Sequence, residues 1–370
     1  MKKFISGFIN LVINIFIIAI LLIICVIVFV FLISKSNNIS VEDTVSYIKS
    51  FGNEISNLSL IDTEEINIDL SSSDEYNTNT NISNANNNFY YNQLEDTEKI
   101  FYDELENNID NLKKANYSIN FSTRFNGLLN QSDGQHKLNK AFQTSIDAFF
   151  YDHPELFYID MTKLSLLIKS MSIGPITKYT VTIEPQNGNN YLSDYFYSER
   201  DVNTAISKVE SVKNNLINKL PNTNDYSKAL TVHDTLVKSL KYTSSGSNTH
   251  NIYGALVDKK VVCEGYAKAF KYILDSLDIE CILVGGNATN SSGKTESHMW
   301  NYINLNGKWY GVDVTWDDPI IIGNSSSKII RHDYFCKGSN VFNENHYINP
   351  QISDKGKAFS IPTLSNKNYK

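Results

Sequence analysis

The chain has 370 residues, of which 42% are hydrophobic and 20% charged. This is enough for at least one sizeable core and for one or two domains, and it excludes a wholly disordered chain. Against 40 Asp and Glu residues stand 33 Lys and Arg residues, a formal net charge of -7, so the chain lacks the concentrated basic surface of nucleic-acid-binding proteins and we expect no nucleic-acid partner.

The N-terminal part of the sequence predicts a transmembrane anchor at residues 11–33. Every residue from Ile15 to Ile33 is apolar, and about 20 such residues cross a hydrocarbon core of about 30 Å. A cleaved signal peptide is the alternative, but its apolar region is shorter and ends in small residues at a cleavage site. Because lysines precede the run, the positive-inside rule predicts a cytoplasmic tail at 1–10 and an extracellular C-terminal part.

Residues 34–93 predict a flexible linker rich in Asn, Ser and Thr. Seven of the thirteen residues from Tyr76 to Asn88 are Asn, and such a segment has too little apolar surface to compensate for the entropy lost on ordering. The linker would hold the rest of the chain away from the membrane.

The cysteine count predicts at least one free thiol. One of the four cysteines lies in the predicted anchor, and the other three, Cys263, Cys281 and Cys336, would lie in an oxidising compartment. A Cys281–Cys336 disulfide is one interpretation. We favour the other, in which both are small buried apolar residues.

From Leu94 the hydrophobic spacing predicts a folded chain, with an N-terminal α/β region at 94–200 and a second domain at 201–370. Apolar residues three and four apart predict helices, and an alternating run predicts a strand. The predicted helices cover 94–115, 137–150, 202–216 and 229–240, and the strand covers 179–184.

The histidines and carboxylates predict no metal site. His233 lies on the apolar face of the helix predicted at 229–240, which is typical of a hydrogen-bonded core histidine. Other acidic and histidine side chains lack the spacing of metal ligands, and we expect turn or surface positions for Asp317, Asp318, His332, Asp333 and His346.

A further helix, of about four turns, is predicted to begin near Cys263. Tyr266, Phe270 and Leu274 belong to its apolar face, which places Cys263 in the first turn on the side that faces the core. There a thiol lies among unpaired N–H groups at the positive end of the helix dipole, and both favour the thiolate. Gly265 leaves room for a close approach to that turn.

The sequence after this helix predicts a hairpin that brings a histidine to an aspartate. Asn306-Gly307 lies between two strand-like runs and is typical of a two-residue primed turn. Pairing outward from this turn places Trp300 opposite Asp313. His298 and Asp313 then become diagonal neighbours on one face of the hairpin.

These residues form a candidate catalytic group. A nucleophilic thiol needs a base within reach and a third group that orients the base, and Cys263, His298 and Asp313 supply the three. In the alternative interpretation, a buried cysteine lies beside a hairpin whose histidine and aspartate merely satisfy each other. Trp300 and Trp309, on the His298 face, either wall the site or belong to the core, and we favour the core.

Three motifs follow one another in the chain: Val-Cys-Glu-Gly-Tyr-Ala at 262–267, His-Met-Trp-Asn at 298–301 and Asp-Val-Thr-Trp-Asp-Asp-Pro at 313–319. This series resembles the core of the transglutaminase-like superfamily, and most of all the bacterial transglutaminase/protease-like proteins grouped with cytokinesis factors. The resemblance covers roughly residues 200–350. It implies a papain-like α+β fold in which the helix that carries the cysteine packs on an antiparallel sheet.

The resemblance also implies a cysteine acyltransferase or peptidase with Cys263 as nucleophile, His298 as base and acid, and Asp313 orienting His298, without metal or organic cofactor. The implied substrate is a protein or peptide amide, including cell-wall peptide. Two alternatives stay open: a catalytically silent binding or scaffold protein, and a structural component of cell division whose partner lies in the membrane. Cross-linking, deamidation and hydrolysis share one thioester, so the sequence does not choose between them.

Overall fold

A computed structural model describes residues 61–69, 88–173, 176–188, 190–318 and 330–370. The predicted cytoplasmic tail and transmembrane anchor, and most of the predicted linker, lie outside the described residues. Within those ranges no helix combines the length and the apolar character needed to cross a membrane.

The chain divides into two compact units. Of the described residues, one unit includes 61–63, 171–173 and 176–177, and the other includes 64–69, 88–170, 178–188, 190–318 and 330–370. The described helices and the candidate site belong to the second unit, which continues across residue 200, where the sequence predicts a domain boundary. Its buried apolar core extends along the chain from Phe89 to Leu364.

The first half of the described chain mixes helices with a sheet. Its elements are β1 (Ile61–Asp69), α1 (Asp96–Asn107), α2 (Ile109–Leu112), β2 (Ile119–Ser122), α3 (Asn126–Leu129), α4 (Gly134–Asp152), β3 (Leu164–Ile173), β4 (Ile176–Pro185), α5 (Glu199–Ile217) and α6 (Asp225–Ser239). The strands form a sheet of order β1-β3-β4-β2.

The second half carries the candidate site. Its elements are β5 (Lys241–Tyr242), β6 (Lys260–Val261), α7 (Cys263–Asp275), β7 (Cys281–Thr289), β8 (Thr295–Leu305), β9 (Lys308–Val312), α8 (Ser339–Phe342) and β10 (His346–Ile348). The last four strands form an antiparallel sheet of order β10-β7-β8-β9, and α7 packs on β7 and β8. The predicted α+β class is confirmed.

Most predicted elements have structural counterparts, with two differences near the start of the fold. The helix predicted at 94–115 is two helices, α1 and α2, because the backbone of Asn108 between them (φ -113°, ψ 11°) is not helical. Inside the predicted linker, Ile61–Asp69 forms β1, and Phe89 and Tyr90 are buried. Tyr90 donates its hydroxyl hydrogen bond to the carbonyl of Leu283 on β7, so the folded region begins before residue 94.

The hairpin of β8 and β9 has the predicted register near its turn. Asn306 and Gly307 have φ values of 54° and 75°, as a primed turn requires, and the ladder continues from this turn to the pair Asn301↔Val312. The predicted pairing of Trp300 with Asp313 does not form. The backbone N–H of Asp313 donates instead to the carbonyl of Tyr334, because the chain turns away from β8 at this residue.

Candidate active site

Cys263 is the first residue of α7 and is partly exposed. Val262 before it has an extended backbone and provides no side-chain cap to the helix, and its own N–H donates to the carbonyl of Thr249 at 3.0 Å. The predicted close approach at Gly265 is present, because a Cβ there would lie 2.8 Å from the same carbonyl oxygen. The thiol therefore lies at the positive end of a helix whose first turn is held by a neighbouring loop.

The sheet brings His298 to Asp313, as the sequence predicts. His298 Nε2 lies 2.7 Å from Asp313 Oδ2. The other carboxylate oxygen, Oδ1, accepts the backbone N–H groups of Thr315 at 2.9 Å and Trp316 at 3.2 Å. The turn that follows β9 thus fixes the orientation of a carboxylate whose side chain is only 1% exposed.

The third predicted residue contacts the same histidine. The thiol of Cys263 lies beside the imidazole of His298, because it is among the groups that raise the pKa of that imidazole, and since Nε2 faces Asp313, Nδ1 is the nitrogen left for the thiol. Burial lowers the pKa of His298, but the charge of Asp313 and the hydrogen bonds with Asp313 and Cys263 raise it to about 10. At neutral pH the imidazole is therefore protonated and places a positive charge beside the sulfur.

A second histidine, His346, contacts the same carboxylate. Its Nε2 lies 3.1 Å from Asp313 Oδ2. Burial raises the pKa of Asp313, yet the charge of His298 and the hydrogen bonds from both histidines hold it well below its usual range. Because an ionised carboxylate only accepts hydrogen bonds, both imidazoles donate to it.

The structure places His346 in the interior, so the predicted surface position is wrong. Its ring stacks on Phe342 at 4.2 Å between centroids and lies 4.7 Å from that of Trp316, and the residue is 3% exposed. Strand β10 pairs with β7, with His346 opposite Ala288, and this pairing carries the imidazole to Asp313. The sequence did not predict His346 or Trp316 as residues of the site. The Trp316 ring lies 5.5 Å from the His298 ring, between centroids.

Comparison with known proteins assigns this part of the chain. The family model of the transglutaminase-like superfamily matches residues 214–314. This segment is a transglutaminase-like core. The kyphoscoliosis peptidases of Mus musculus and Homo sapiens are both 28% identical to the chain over 98 residues, which is 24% of this chain and 15% of theirs.

A solved structure described as a TGase is similar to the chain at 10% identity, with a TM-score of 0.27 over 44% of this chain and 46% of the other. The chain spans only 15% of the length of the two peptidases. Their activity therefore does not follow for this chain by comparison alone.

The transglutaminase-like core and its surroundings contain two further thiols, Cys281 and Cys336. Both are free and buried, so the disulfide interpretation is wrong and the apolar one agrees with the structure. Burial raises the pKa of each of these thiols well above its ordinary value, which keeps them protonated at neutral pH. Cys263 is the partly exposed thiol of the described residues.

The two tryptophans of the hairpin have different neighbours in the structure. Trp300 lies 6.1 Å from the His298 ring, between centroids, and is 1% exposed. Trp309 packs instead against Phe89, with a centroid separation of 6.3 Å. Trp309 therefore belongs to the core, as predicted, whereas Trp300 is both a core residue and a neighbour of the imidazole.

Hydrogen bonds outside the catalytic group hold the transglutaminase-like core together. Asn301 on β8 donates to the Ala267 carbonyl of α7 at 3.0 Å, and Tyr266 of α7 donates to Asp318 at 2.6 Å. These two contacts fix the cysteine helix to the sheet and to the turn after β9. Asp318 thus has a turn position, as expected.

His233 is a core histidine, as predicted. It has no exposed surface, and its ring nitrogens lie 3.1 Å from Asp234 Oδ1 and 3.1 Å from Asp317 Oδ2. Asp317 has the expected turn position, but it is fully buried rather than at the surface: its carboxylate accepts the backbone N–H of Tyr334 and faces His233.

The spacing of the sequence predicts no metal site, but the fold brings potential ligands together. In two groups of the described residues, all the ligand atoms lie within 4.8 Å of one another. These groups are His298, Asp313 and His346, and His233, Asp234 and His332.

Proposed function

We propose that this protein is a cysteine-dependent acyltransferase or peptidase that acts on protein or peptide amides through a thioester on Cys263. One observation carries the proposal: a thiol at a helix N-terminus lies beside an imidazole whose Nε2 lies 2.7 Å from the buried carboxylate of Asp313. This is the arrangement of nucleophile, base and orienting group that covalent catalysis requires.

In the first half-reaction the Cys263 sulfur attacks the carbonyl carbon of the amide. A carbon–sulfur bond forms, and the carbonyl oxygen takes the negative charge near the backbone N–H of Cys263, a suitable donor at the start of α7. His298, protonated because its pKa is raised to about 10, gives its Nδ1 proton to the departing nitrogen. The carbon–nitrogen bond breaks, and ammonia or an amine leaves.

In the second half-reaction the neutral imidazole of His298 removes a proton from water or from an acceptor amine. The activated oxygen or nitrogen attacks the thioester carbon, the carbon–sulfur bond breaks, and the thiolate returns beside the imidazolium. Water as acceptor gives deamidation or hydrolysis, and an amine gives cross-linking. Asp313 stabilises the imidazolium and keeps Nδ1 directed at the sulfur in both steps.

His346 is a positioning residue in this scheme, and His346→Phe is expected to lower kcat about tenfold with little change in KM, since a hydrogen bond to a charged group contributes about 1.5–3 kcal/mol. With one donor lost, the charge of Asp313 acts more strongly on His298. The pKa of His298 should rise, so the alkaline limb of the kcat/KM profile should move to higher pH.

The conservative variant His346→Gln tests the positioning role, because an amide can donate to the same oxygen. It should restore most of the lost kcat and return the alkaline limb towards that of the unmodified protein. If His346→Phe lowers only the unfolding temperature, with kcat and the pH profile intact, His346 has a packing role alone.

The proposed location is the outer face of a cell membrane, with residues 11–33 as a single span and the N-terminus cytoplasmic. The uninterrupted apolar run supports it. Protease added to intact cells should digest residues 94–370 while sparing the N-terminus. Protection of residues 94–370 until the cells are permeabilised would contradict this orientation.

The function itself is tested by incubating the full chain with a glutamine-containing peptide and a labelled amine and measuring the products by mass spectrometry. Release of ammonia with amine incorporation indicates cross-linking, a mass gain of about 1 Da at glutamine indicates deamidation, and shortened peptides indicate proteolysis. Peptides with cell-wall composition extend the panel. If no peptide of either kind turns over and the iodoacetamide reactivity of Cys263 is low, the silent scaffold replaces the proposal.

A further inference from the structure

A second cluster of titratable side chains lies outside the catalytic group. His233 and Asp234 come from α6, and His332 comes from the segment that precedes α8. Asp234 Oδ1 is 3.1 Å from His233 Nδ1 and 2.8 Å from His332 Nε2. These separations are close to the roughly 3.3 Å between neighbouring ligand atoms around a tetrahedral ion with bonds of about 2.0 Å.

The buried carboxylate of Asp317 orients the central imidazole of this cluster. His233 Nε2 lies 3.1 Å from Asp317 Oδ2, and the same carboxylate accepts the backbone N–H of Tyr334. Histidines that bind metal ions commonly donate their second ring N–H to a carboxylate, which fixes the tautomer. Here that contact leaves His233 Nδ1 as the nitrogen that faces Asp234.

The charge of the cluster suits a divalent cation. With both imidazoles neutral, Asp234 and Asp317 give it two negative charges around a ring that has no exposed surface.

The cluster is also open to solvent on one side. The side chains of Asp234 and His332 are 25% and 44% exposed, so an ion could reach the ligands and complete its coordination with water. We propose that His233 Nδ1, Asp234 Oδ1 and His332 Nε2 form a binding site for Zn²⁺, whose preferences for nitrogen and oxygen ligands and for tetrahedral geometry they match.

The site would act on structure rather than on the reaction. Zn²⁺ would connect α6 to the segment at His332, and through His233 and Asp317 to the turn after β9, since the N–H of Asp317 donates to the carbonyl of Asp313. The inference rests on these contacts and is independent of the proposed acyl transfer.

The test titrates Zn²⁺ into the full chain, purified in a mild detergent and stripped with a chelator, and measures heat of binding, bound metal and unfolding temperature. We expect one equivalent bound with submicromolar affinity and a rise of several degrees in unfolding temperature. His332→Ala should weaken binding at least about 100-fold, since it removes a direct ligand where even supporting residues contribute 10–100-fold. Because the His332 side chain is partly exposed, the fold should tolerate this substitution, and circular dichroism of the variant checks that it is folded.

Two control variants separate this site from other histidines. His136→Ala removes an exposed histidine of α4 and should bind Zn²⁺ like the unmodified chain. His346→Phe removes a potential ligand of the catalytic group and should also retain binding. Absence of tight binding by the unmodified chain, tight binding that survives in folded His332→Ala, or loss of binding in His346→Phe would each overturn the proposal.

Discussion

Replacing Cys263 with alanine is expected to abolish turnover, with a loss of at least about 10⁴-fold in kcat, the scale seen when a nucleophile is removed. No other described thiol can replace it, because Cys281 and Cys336 are buried with raised pKa values. Since Cys263 is partly exposed at the start of α7, alanine leaves the core intact. Circular dichroism and the unfolding temperature should therefore match those of the unmodified protein.

The matched control for this prediction is Cys336→Ala. It removes a thiol that lies outside the catalytic group, so turnover should persist although the loss of a buried side chain lowers the unfolding temperature. Measurable turnover by folded Cys263→Ala, on any substrate that the unmodified protein converts, would show that the thiol is not the nucleophile.

Asp313→Asn should lower kcat by about 10³–10⁴-fold, because an amide at this position no longer holds the imidazole in its productive tautomer. The charge of Asp313 raises the pKa of His298, so its removal lowers that pKa from about 10. His298 then loses its proton at a lower pH. The alkaline limb of the kcat/KM profile should therefore move to lower pH, whereas His346→Phe is expected to move it to higher pH.

The measurement is a pH profile of kcat/KM for Asp313→Asn, His346→Phe and the unmodified chain on one substrate. Asp318→Asn is the control, since Asp318 accepts the hydrogen bond of the Tyr266 hydroxyl, whereas the carboxylate that faces His298 Nε2 is that of Asp313. It should leave the alkaline limb in place. An unmoved limb in Asp313→Asn would show that the charge of Asp313 does not set the titration of His298.

The parts of the site that depend on local pattern could be predicted from the sequence. The apolar face around Tyr266 placed Cys263 in the first turn of a helix, and the Asn306-Gly307 turn set a register that brought His298 to Asp313. Helix periodicity and strand alternation act over a few residues, so they are visible in one sequence. The ladder departs from the prediction only where the chain turns at Asp313.

Contacts that depend on distant segments could not be predicted in this way. His346 reaches Asp313 through the pairing of β10 with β7, and β10 has only three residues, too few for an alternating pattern. Asp317 is buried because His233, 84 positions earlier, lies over it. Neither pairing leaves a periodic signal in the sequence, so the sequence predicts turn or surface positions for both side chains and not their burial.

For a related reason, the sequence predicts that the folded region begins at Leu94, several residues after its first buried side chains. Phe89 and Tyr90 follow an Asn-rich stretch whose composition dominates a window average. Their burial depends on partners far along the chain, such as the Leu283 carbonyl that accepts from the Tyr90 hydroxyl. Composition describes a segment by itself, whereas burial depends on what packs against it.

The most direct test of the central claim is to trap the acyl-enzyme. The full chain is mixed with a substrate peptide that it converts, quenched in acid within the first turnover, digested and examined by mass spectrometry. The proposed mechanism predicts the acyl mass on the peptide that contains Cys263, sensitive to hydroxylamine and absent from Cys263→Ala. An acyl group on another residue, or turnover in Cys263→Ala at the rate of the unmodified chain, would contradict it.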